Sequence, residues 1–227
     1  MGLSRLHRVL RKVPPLYRAG RAIRSVGRTV FGPSWLDRQI KRQAAAGGPL
    51  RIVVGSSTIY CEGWIPTNVQ YLNLLVDEHW QRAFGNHPID AILAEHVWEH
   101  LTLDEGRRAA AQCFQYLRPG GYVRLAVPDG NHPDPEYIRW VEVGGVGSGA
   151  SDHKVLYTYD LLRDVFESAG FAVRLLEYYD EAGQFHATPW DESAGYIHRC
   201  QGRAEQPRDG KPANYTSIIL DATKPAE

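Results

Sequence analysis

The sequence predicts an α/β domain in which a mainly parallel sheet is covered by helices on both faces. Two short apolar runs, residues 50–54 and 89–94, predict buried strands, because each ends at polar or glycine-containing loop residues. An amphipathic segment, residues 104–117, follows the second run and predicts a helix. Strands that alternate with helices are typical of a parallel sheet, whose ligands bind beyond the carboxyl ends of the strands.

The remaining elements continue this alternation along the chain. Thr102 is the expected N-cap of the helix over 104–117, and Gly170 is expected to adopt a left-handed conformation after a helix over 158–168. Residues 129–152 are rich in glycine and proline and predict a lid or binding loop, whereas residues 180–214 form a long insertion whose aromatic residues favour order. The other predicted elements are strands over 68–75, 122–127, 173–178 and 215–222, and helices over 34–46 and 77–84.

The formal charge of zero conceals two oppositely charged parts. Residues 1–47 contain eleven Lys and Arg and one acid, Asp37, while residues 48–227 contain fifteen Lys and Arg and twenty-five Asp and Glu. We therefore predict a basic helical arm over 1–47, followed by a separate domain over 48–227. The arm could lie on an anionic membrane, contact nucleic acid, pack on its own domain, remain solvated or act as a transit peptide.

The composition narrows the expected partners and compartment. An acidic body would repel phosphates, so a nucleic acid partner is not expected. Three widely separated cysteines predict a reducing compartment, and no apolar run approaches the ~20 residues that span a bilayer. We expect a cytoplasmic protein, with the basic arm as a means of peripheral contact with the inner face of the membrane.

Three motifs follow the predicted strands and helices of the body. Residues 117–129 read L-R-P-G-G-Y-V-R-L-A-V-P-D, residues 95–101 read E-H-V-W-E-H-L, and the D-H-K-V-L-Y-T of residues 152–158 precedes a helix that ends in A-G-F. Together they resemble motifs of class I S-adenosylmethionine (SAM)-dependent methyltransferases of the type 11 kind. The resemblance covers about residues 50–225 and implies a Rossmann-like sheet of order 3-2-1-4-5-7-6. It also implies SAM as cofactor and transfer of its methyl group.

The resemblance also implies a set of cofactor-binding positions, two of which depart from the usual pattern. They are Gly55, Ser56, Ser57, Gln70 and Glu95. Ser57 stands where the G-x-G loop has its second glycine, and the amide of Gln70 stands near the position of the ribose-binding acid. These departures favour one alternative function, a non-catalytic methyltransferase-fold protein that acts as a binding or scaffold module.

The segment from His96 to His100 carries the residues expected to perform chemistry. His96 and His100 are the expected general bases, because histidine titrates nearest neutral pH. Resemblance to small-RNA ribose methyltransferases implies instead a divalent-metal site at His96, Glu99, His100 and His153. The same segment matches H-x-x-E-H, so a metal-dependent hydrolase is a third hypothesis, provided that both histidines lie on one helix. Aromatic and polar residues in the insertion suggest a small-molecule acceptor, namely a sugar, glycolipid or polysaccharide precursor.

Overall fold

Seven strands form one mixed sheet in the order β2-β1-β3-β4-β7-β5-β6. The computed structural model describes residues 32–56, 62–85, 87–201 and 215–226. Strands β1 to β4 run parallel, whereas β7 lies antiparallel between β4 and β5, and β6 pairs antiparallel with β5. The strands are β1 Arg51–Val54, β2 Ile65–Pro66, β3 Ile89–Glu95, β4 Leu117–Val127, β5 Ala172–Tyr179, β6 Phe185–Ala187 and β7 Ile218–Thr223.

This sheet has the Rossmann-like class I methyltransferase arrangement, which confirms the predicted fold class. Six of its strands occupy the expected positions 2-1-4-5-7-6, including the antiparallel final strand between two parallel ones. The outer strand β6 comes from the insertion, and no strand lies beyond β2 among the residues that the structure describes.

The second strand lies earlier than predicted. The expected strand over 68–75 is a series of turns, in which the Asn68 carbonyl accepts from the backbone N–H groups of Tyr71 and Leu72. The Asn73 side chain likewise accepts from the Leu75 backbone N–H. Asparagine side chains that bond to nearby backbone favour turns over strands, which explains the error.

Four of the described helices begin and end close to their predicted positions, namely α1 at residues 32–45, α2 Asp77–Phe84, α3 Leu103–Tyr116 and α5 Tyr159–Glu167. Helix α4, Pro135–Val141, was not predicted and lies within the expected loop over 129–152; it begins after Asp134, whose side chain caps it. Thr102 caps α3 in a capping box with Glu105, and Gly170 has a φ of 98°, as expected of a left-handed residue after a helix. Thr158 precedes α5 as predicted, although its hydroxyl bonds to the Asp160 side chain rather than to the backbone.

The described part of the basic arm packs on the body. Leu36 and Ile40 of α1 are fully buried in the main core, and the Trp35 ring meets the Tyr71 ring edge-on at 6.3 Å. Residues 1–31, which hold most of the basic side chains, lie outside the described residues, so the domain boundary near residue 47 stays a prediction. No helix of the described residues is both long and apolar enough to cross a membrane.

The two faces of the sheet are covered differently. One face packs against α3 and α5 through a large core that includes Trp98 and Phe166. On the other face, Val53, Leu93 and Ile219 pack against residues of the insertion. Within the described residues, that second cluster contains no residue from a helix, and the insertion residues in it are Ile197 and Cys200, with Trp190 and Tyr196 beside them.

We call residues 188–201 the strap, because polar contacts fasten them across this second face. Arg124, which is 3% exposed, forms a two-bonded ion pair with Asp221 at 2.7 and 2.8 Å and also donates to the Asp191 and Gly195 carbonyls of the strap. Its guanidinium lies 4.9 Å from the centre of the Trp190 ring. The described part of the insertion is therefore ordered, and its anchors lie on the sheet.

A buried carboxyl after β4 should make the protein less stable as the pH rises. Asp129 is fully buried and accepts backbone N–H bonds from Asn131 and Tyr179, yet burial raises its pKa from 3.8 to about 6. Because the pKa of this acid is higher in the folded than in the unfolded protein, its protonated form contributes fully to the free energy of unfolding below pH ~4. This contribution, at most about 3 kcal/mol, is lost as the pH rises to ~6. Asp129→Asn should flatten this part of the pH profile in urea unfolding; equal slopes would contradict the assignment.

Candidate active site

A polar cleft of about 580 Å³ opens at the carboxyl ends of β3 and β4. Its volume lies in the range of small-molecule sites, which is about 300–1,000 Å³. Four parts of the chain form its walls. They are the loop after β3, helix α4 with the glycine-rich loop after it, the strap, and the short segment before β7. The lining residues are His96, Glu99, His100, Trp140, Val141, Gly147, Ser148, Ala150, His153, Arg199 and Tyr215.

Glu99 lies at the buried side of this cleft without a compensating hydrogen bond. Its side chain is 1% exposed, and neither carboxylate oxygen has a hydrogen-bond partner among the described residues. Burial raises the pKa of Glu99 to about 7. A buried carboxyl that lacks hydrogen bonds is costly in a folded protein and is characteristic of functional sites.

His96 supports Glu99 rather than facing the cleft as a free base. Its Nδ1 lies 2.9 Å from Glu99 Oε1, although the two atoms are not aligned for a hydrogen bond, and its Nε2 lies 3.2 Å from Ser217 Oγ. His96 has a φ of 57°, an uncommon conformation for a residue with a Cβ and one that stores strain. Because both ring nitrogens are engaged, the geometry disfavours His96 as the general base.

His100 and His153 complete a three-residue cluster with Glu99. One ligand atom from each of Glu99, His100 and His153 lies within 4.8 Å of the others, and the two imidazole rings meet at 5.0 Å. His153 Nδ1 is 2.7 Å from the Val141 carbonyl, which can only accept, so in the neutral ring Nδ1 carries the proton and Nε2 has the lone pair. His100 Nδ1 lies 3.5 Å from Asp152 Oδ2 at the rim. Three of the four predicted metal ligands thus come together, and His96 is outside this group.

The zinc-protease arrangement of H-x-x-E-H, on which the hydrolase hypothesis depends, is absent because the described segment lacks the required helix. Only residues Trp98–His100 form a helical turn, of the 3₁₀ type, and His96 precedes it in the left-handed region. Two histidines at i and i+4 can share a metal only when a continuous α-helix places them on one face.

The predicted cofactor residues at the end of β1 surround a tight loop. Gly55 has a φ of 61°, and a Cβ there would lie 2.7 Å from Val97 Cγ2, so the position requires glycine. Ser56 commits its hydroxyl and its backbone N–H to the Thr67 carbonyl. Gln70 lies in a turn, and its buried Oε1 has no hydrogen-bond partner among the described residues. Ser57 lies outside the described residues.

Glu95 contacts the strap, and its predicted role in cofactor binding stays a prediction. Its carboxylate accepts from the backbone N–H groups of His198 and Arg199 at 3.1 and 3.0 Å and pairs with His198 Nδ1 at 2.9 Å. Burial alone would raise the pKa of Glu95, but the His198 bond and the charges of His96 and Arg199 outweigh it and lower the pKa. The charged carboxylate is therefore committed to the insertion.

Trp140, Ser148 and Tyr215 are among the cleft residues that have no site role in the sequence-based prediction. Trp140 precedes the glycine-rich loop, Ser148 lies within it, and Tyr215 precedes β7, where its ring lies 5.9 Å from that of His96. The glycine-rich loop was the available signal for the first two. Nothing in the local sequence around Tyr215 indicates that the end of the insertion returns to the cleft.

The strain at Gly55 can be separated from its close contact by a matched pair of variants. Gly63 has a similar φ of 76°, but a Cβ there would meet nothing within 4 Å. Gly63→Ala should therefore lose only about 1 kcal/mol of unfolding free energy, whereas Gly55→Ala should lose about 2–4 kcal/mol because the clash adds to the strain. Urea unfolding measures both; equal losses would mean that Val97 moves away at no cost.

Comparisons with known proteins give similarities to solved structures alone. No protein-family model and no curated protein matches the chain. A SAM-dependent methyltransferase from Archaeoglobus fulgidus is similar at 12% identity and a TM-score of 0.47, over 85% of this chain and 94% of that one. An O-methyltransferase family protein from Burkholderia thailandensis is similar at 11% identity and a TM-score of 0.48, over 95% of this chain and 61% of that one. Human N-acetylserotonin methyltransferase in complex with SAM is similar at 9% identity and a TM-score of 0.44, over 81% of this chain and 43% of that one. The fold assignment rests on the order and directions of the strands.

Proposed function

We propose that this protein is a SAM-dependent O-methyltransferase that binds a hydroxyl-bearing acceptor in the cleft. The observation that carries the proposal is the Glu99–His100–His153 cluster at the carboxyl ends of β3 and β4, in which Glu99 and His153 are buried. In an α/β sheet of this type, ligands bind beyond those strand ends. A histidine with an available nitrogen beside a buried carboxyl is suited to orient a hydroxyl and to take its proton.

Each residue of the cluster has a distinct task in this proposal. His100, which is partly exposed at the rim, takes the proton of the reacting hydroxyl, while the Nε2 lone pair of His153 accepts a hydrogen bond from a second hydroxyl of the acceptor. Glu99 stabilises the positive charge that develops on His100, and His96 holds Glu99 in place at 2.9 Å. SAM supplies an electrophilic methyl group, so the protein need only align the reactants and manage one proton.

The residues at the end of β1 fit SAM in part. The left-handed turn at Gly55 and the unpartnered acceptor of Gln70 suit a ligand that carries hydroxyl groups, and both stay our predicted cofactor contacts. Ser56 and Glu95 already have other partners. Fewer than the five predicted positions are therefore available to contact the cofactor, and we expect SAM to bind weakly.

The cluster also fits a divalent cation. Two imidazole nitrogens and one carboxylate oxygen form a ligand set that zinc and related metals prefer, and the Val141 carbonyl orients His153 as a second-layer partner of a metal ligand would. A cation at Glu99, His100 and His153 would lower the pKa of a bound hydroxyl. With a cation bound, these three residues would serve as its ligands, and the proton of the acceptor hydroxyl would be released to solvent.

Calorimetric titration of the full chain with SAM and S-adenosylhomocysteine tests the proposal. We expect both to bind, and S-adenosylhomocysteine should bind more weakly to Gln70→Ala, with the surface variant Gln81→Ala as control. Absence of binding at millimolar concentration would overturn the enzyme proposal and favour the non-catalytic scaffold, which the committed side chains of Ser56 and Glu95 also support.

We further propose that the acceptor is a glycan or lipid-linked precursor and that basic residues of the arm contact the inner face of an anionic membrane. The charge of residues 1–47 supports this proposal. Because α1 packs in the core, the test keeps the full chain and replaces Arg5, Arg8 and Arg11 with Gln. Co-sedimentation with anionic vesicles should weaken at least about tenfold, since each basic residue contributes ~1 kcal/mol. Equal binding would remove this role from the arm.

A further inference from the structure

The charge lining the cleft differs from the charge of the body around it. Residues 48–227 are acidic overall, yet the cleft is lined by three histidines and Arg199 against a single carboxyl, Glu99. A locally basic cleft in an acidic domain concentrates anionic ligands at that site.

Arg199 has hydrogen-bond donors to spare. Its side chain is about one third exposed, and its single described contact is from Nη1 to Glu95 Oε1 at 3.5 Å, which is long for a hydrogen bond. A guanidinium has five N–H donors in a rigid fork that matches a phosphate or carboxylate. Arg199 is also the one Lys or Arg among the described residues that line the cleft.

The backbone, rather than this side chain, anchors the strap. Glu95 accepts from the backbone N–H groups of His198 and Arg199 and from His198 Nδ1, so the guanidinium is not needed to hold the segment. Ser148 and Tyr215 add hydroxyl groups to the cleft lining, and the charge of Arg199 acts on both Tyr215 and Glu99. Arg199 thus lines the same cleft as the proposed reaction centre, and its guanidinium has donors beyond the one contact to Glu95.

We infer that the acceptor is a phosphate ester of a hydroxylated compound, with its phosphate paired to Arg199 and a hydroxyl at the Glu99–His100–His153 cluster. The guanidinium of Arg199 and the hydroxyl groups of Ser148 and Tyr215 line the same cleft, and together they suit the three oxygens of a phosphate better than the two of a carboxylate. The inference rests on the proposed function, of which it names the acceptor class. Such an ester could be a free sugar phosphate or the headgroup of a phospholipid.

Calorimetry on the full chain in EDTA tests the inference with glycerol 3-phosphate as the probe. We expect binding that neither glycerol nor glycerate reproduces. Arg199→Gln should weaken it about 10- to 100-fold and Arg199→Lys less, because a hydrogen bond to a charged group contributes ~1.5–3 kcal/mol. Arg163→Gln, on the outer side of α5, is the matched control and should leave binding unchanged. Thermal unfolding should give the same midpoint for all variants.

The outcomes separate this inference from the proposed function. If glycerate binds as tightly as glycerol 3-phosphate, or if Arg199→Gln binds like the parent, the phosphate site is overturned, while S-adenosylhomocysteine binding would leave the methyltransferase intact. If the phosphate ester binds through Arg199 but S-adenosylhomocysteine does not bind, the phosphate site is supported and the proposed methyltransferase function is overturned. Sedimentation with phosphatidylinositol vesicles that depends on Arg199 would support the inference and identify the lipid source.

Discussion

Replacing Glu99 with glutamine should weaken divalent-cation binding at least about 100-fold. The carboxylate is one of three groups whose ligand atoms lie within 4.8 Å, and a neutral amide is a poor ligand beside two imidazoles. Loss of a partner that only orients a metal ligand already lowers affinity 10- to 100-fold, so loss of a ligand itself should do more. Zinc titration of the full chain by calorimetry gives the affinity.

Two further variants make this experiment specific to the cluster. His153→Ala should weaken zinc binding as strongly as Glu99→Gln, whereas His87→Ala should not, since His87 precedes the amino end of β3 at the opposite edge of the sheet. Glutamine has nearly the same volume as Glu99 but no charge, so Glu99→Gln should fold like the parent protein. Thermal unfolding measures this. Zinc binding that is unchanged in Glu99→Gln would remove the cation from the proposal and leave His100 as the proton acceptor.

Replacing Arg124 with leucine should lower the free energy of unfolding by about 3–5 kcal/mol. The change leaves Asp221 without its two-bonded partner in a largely buried position, and it frees the strap carbonyls of Asp191 and Gly195. Removing one partner of a buried ion pair costs this much because the remaining charge is left unpaired. Urea unfolding monitored by Trp fluorescence measures the loss.

The same strand supplies the matched control. Arg118 also pairs with an aspartate, Asp90 at 2.6 Å, but its side chain is about half exposed. Arg118→Leu should therefore lose less than about 1 kcal/mol. The double variant Arg124→Leu/Asp221→Leu should recover part of the loss, since a well-packed apolar pair can replace a buried ion pair. Equal losses at Arg118 and Arg124 would mean that the strap does not depend on this anchor.

Much of the fold could be predicted from the chain because its signals are local. The buried strand over 89–94, the helix after Thr102 and the left-handed Gly170 each depend on neighbouring residues, and each was confirmed. The error at residues 68–75 has a local cause too: the Asn73 side chain and the Asn68 backbone carbonyl accept from nearby backbone N–H groups and form turns. Leu72 and Leu74 are nevertheless buried in the core, so the apolar spacing identified buried residues without identifying their secondary structure.

The candidate site was only partly predictable, since it depends on which loops meet. Glu99, His100 and His153 were expected to converge, and they do. His96 shares the same motif but is directed to Ser217 by its left-handed backbone, and Glu95 is taken by the strap. No spacing rule could reveal these assignments, because Glu95 and His198 are separated by 103 residues in the chain.

The sequence by itself determined the alternation of strands and helices, the basic arm and the residue types available at the strand ends, because periodicity and composition act over a few residues. The tertiary structure decided what each of those residues does. It placed Arg199 in the cleft by fastening the strap to Glu95 and Arg124, and it left Glu99 buried without hydrogen bonds beside two histidines. These outcomes depend on burial and on contacts between distant segments, which exist only once the sheet has formed.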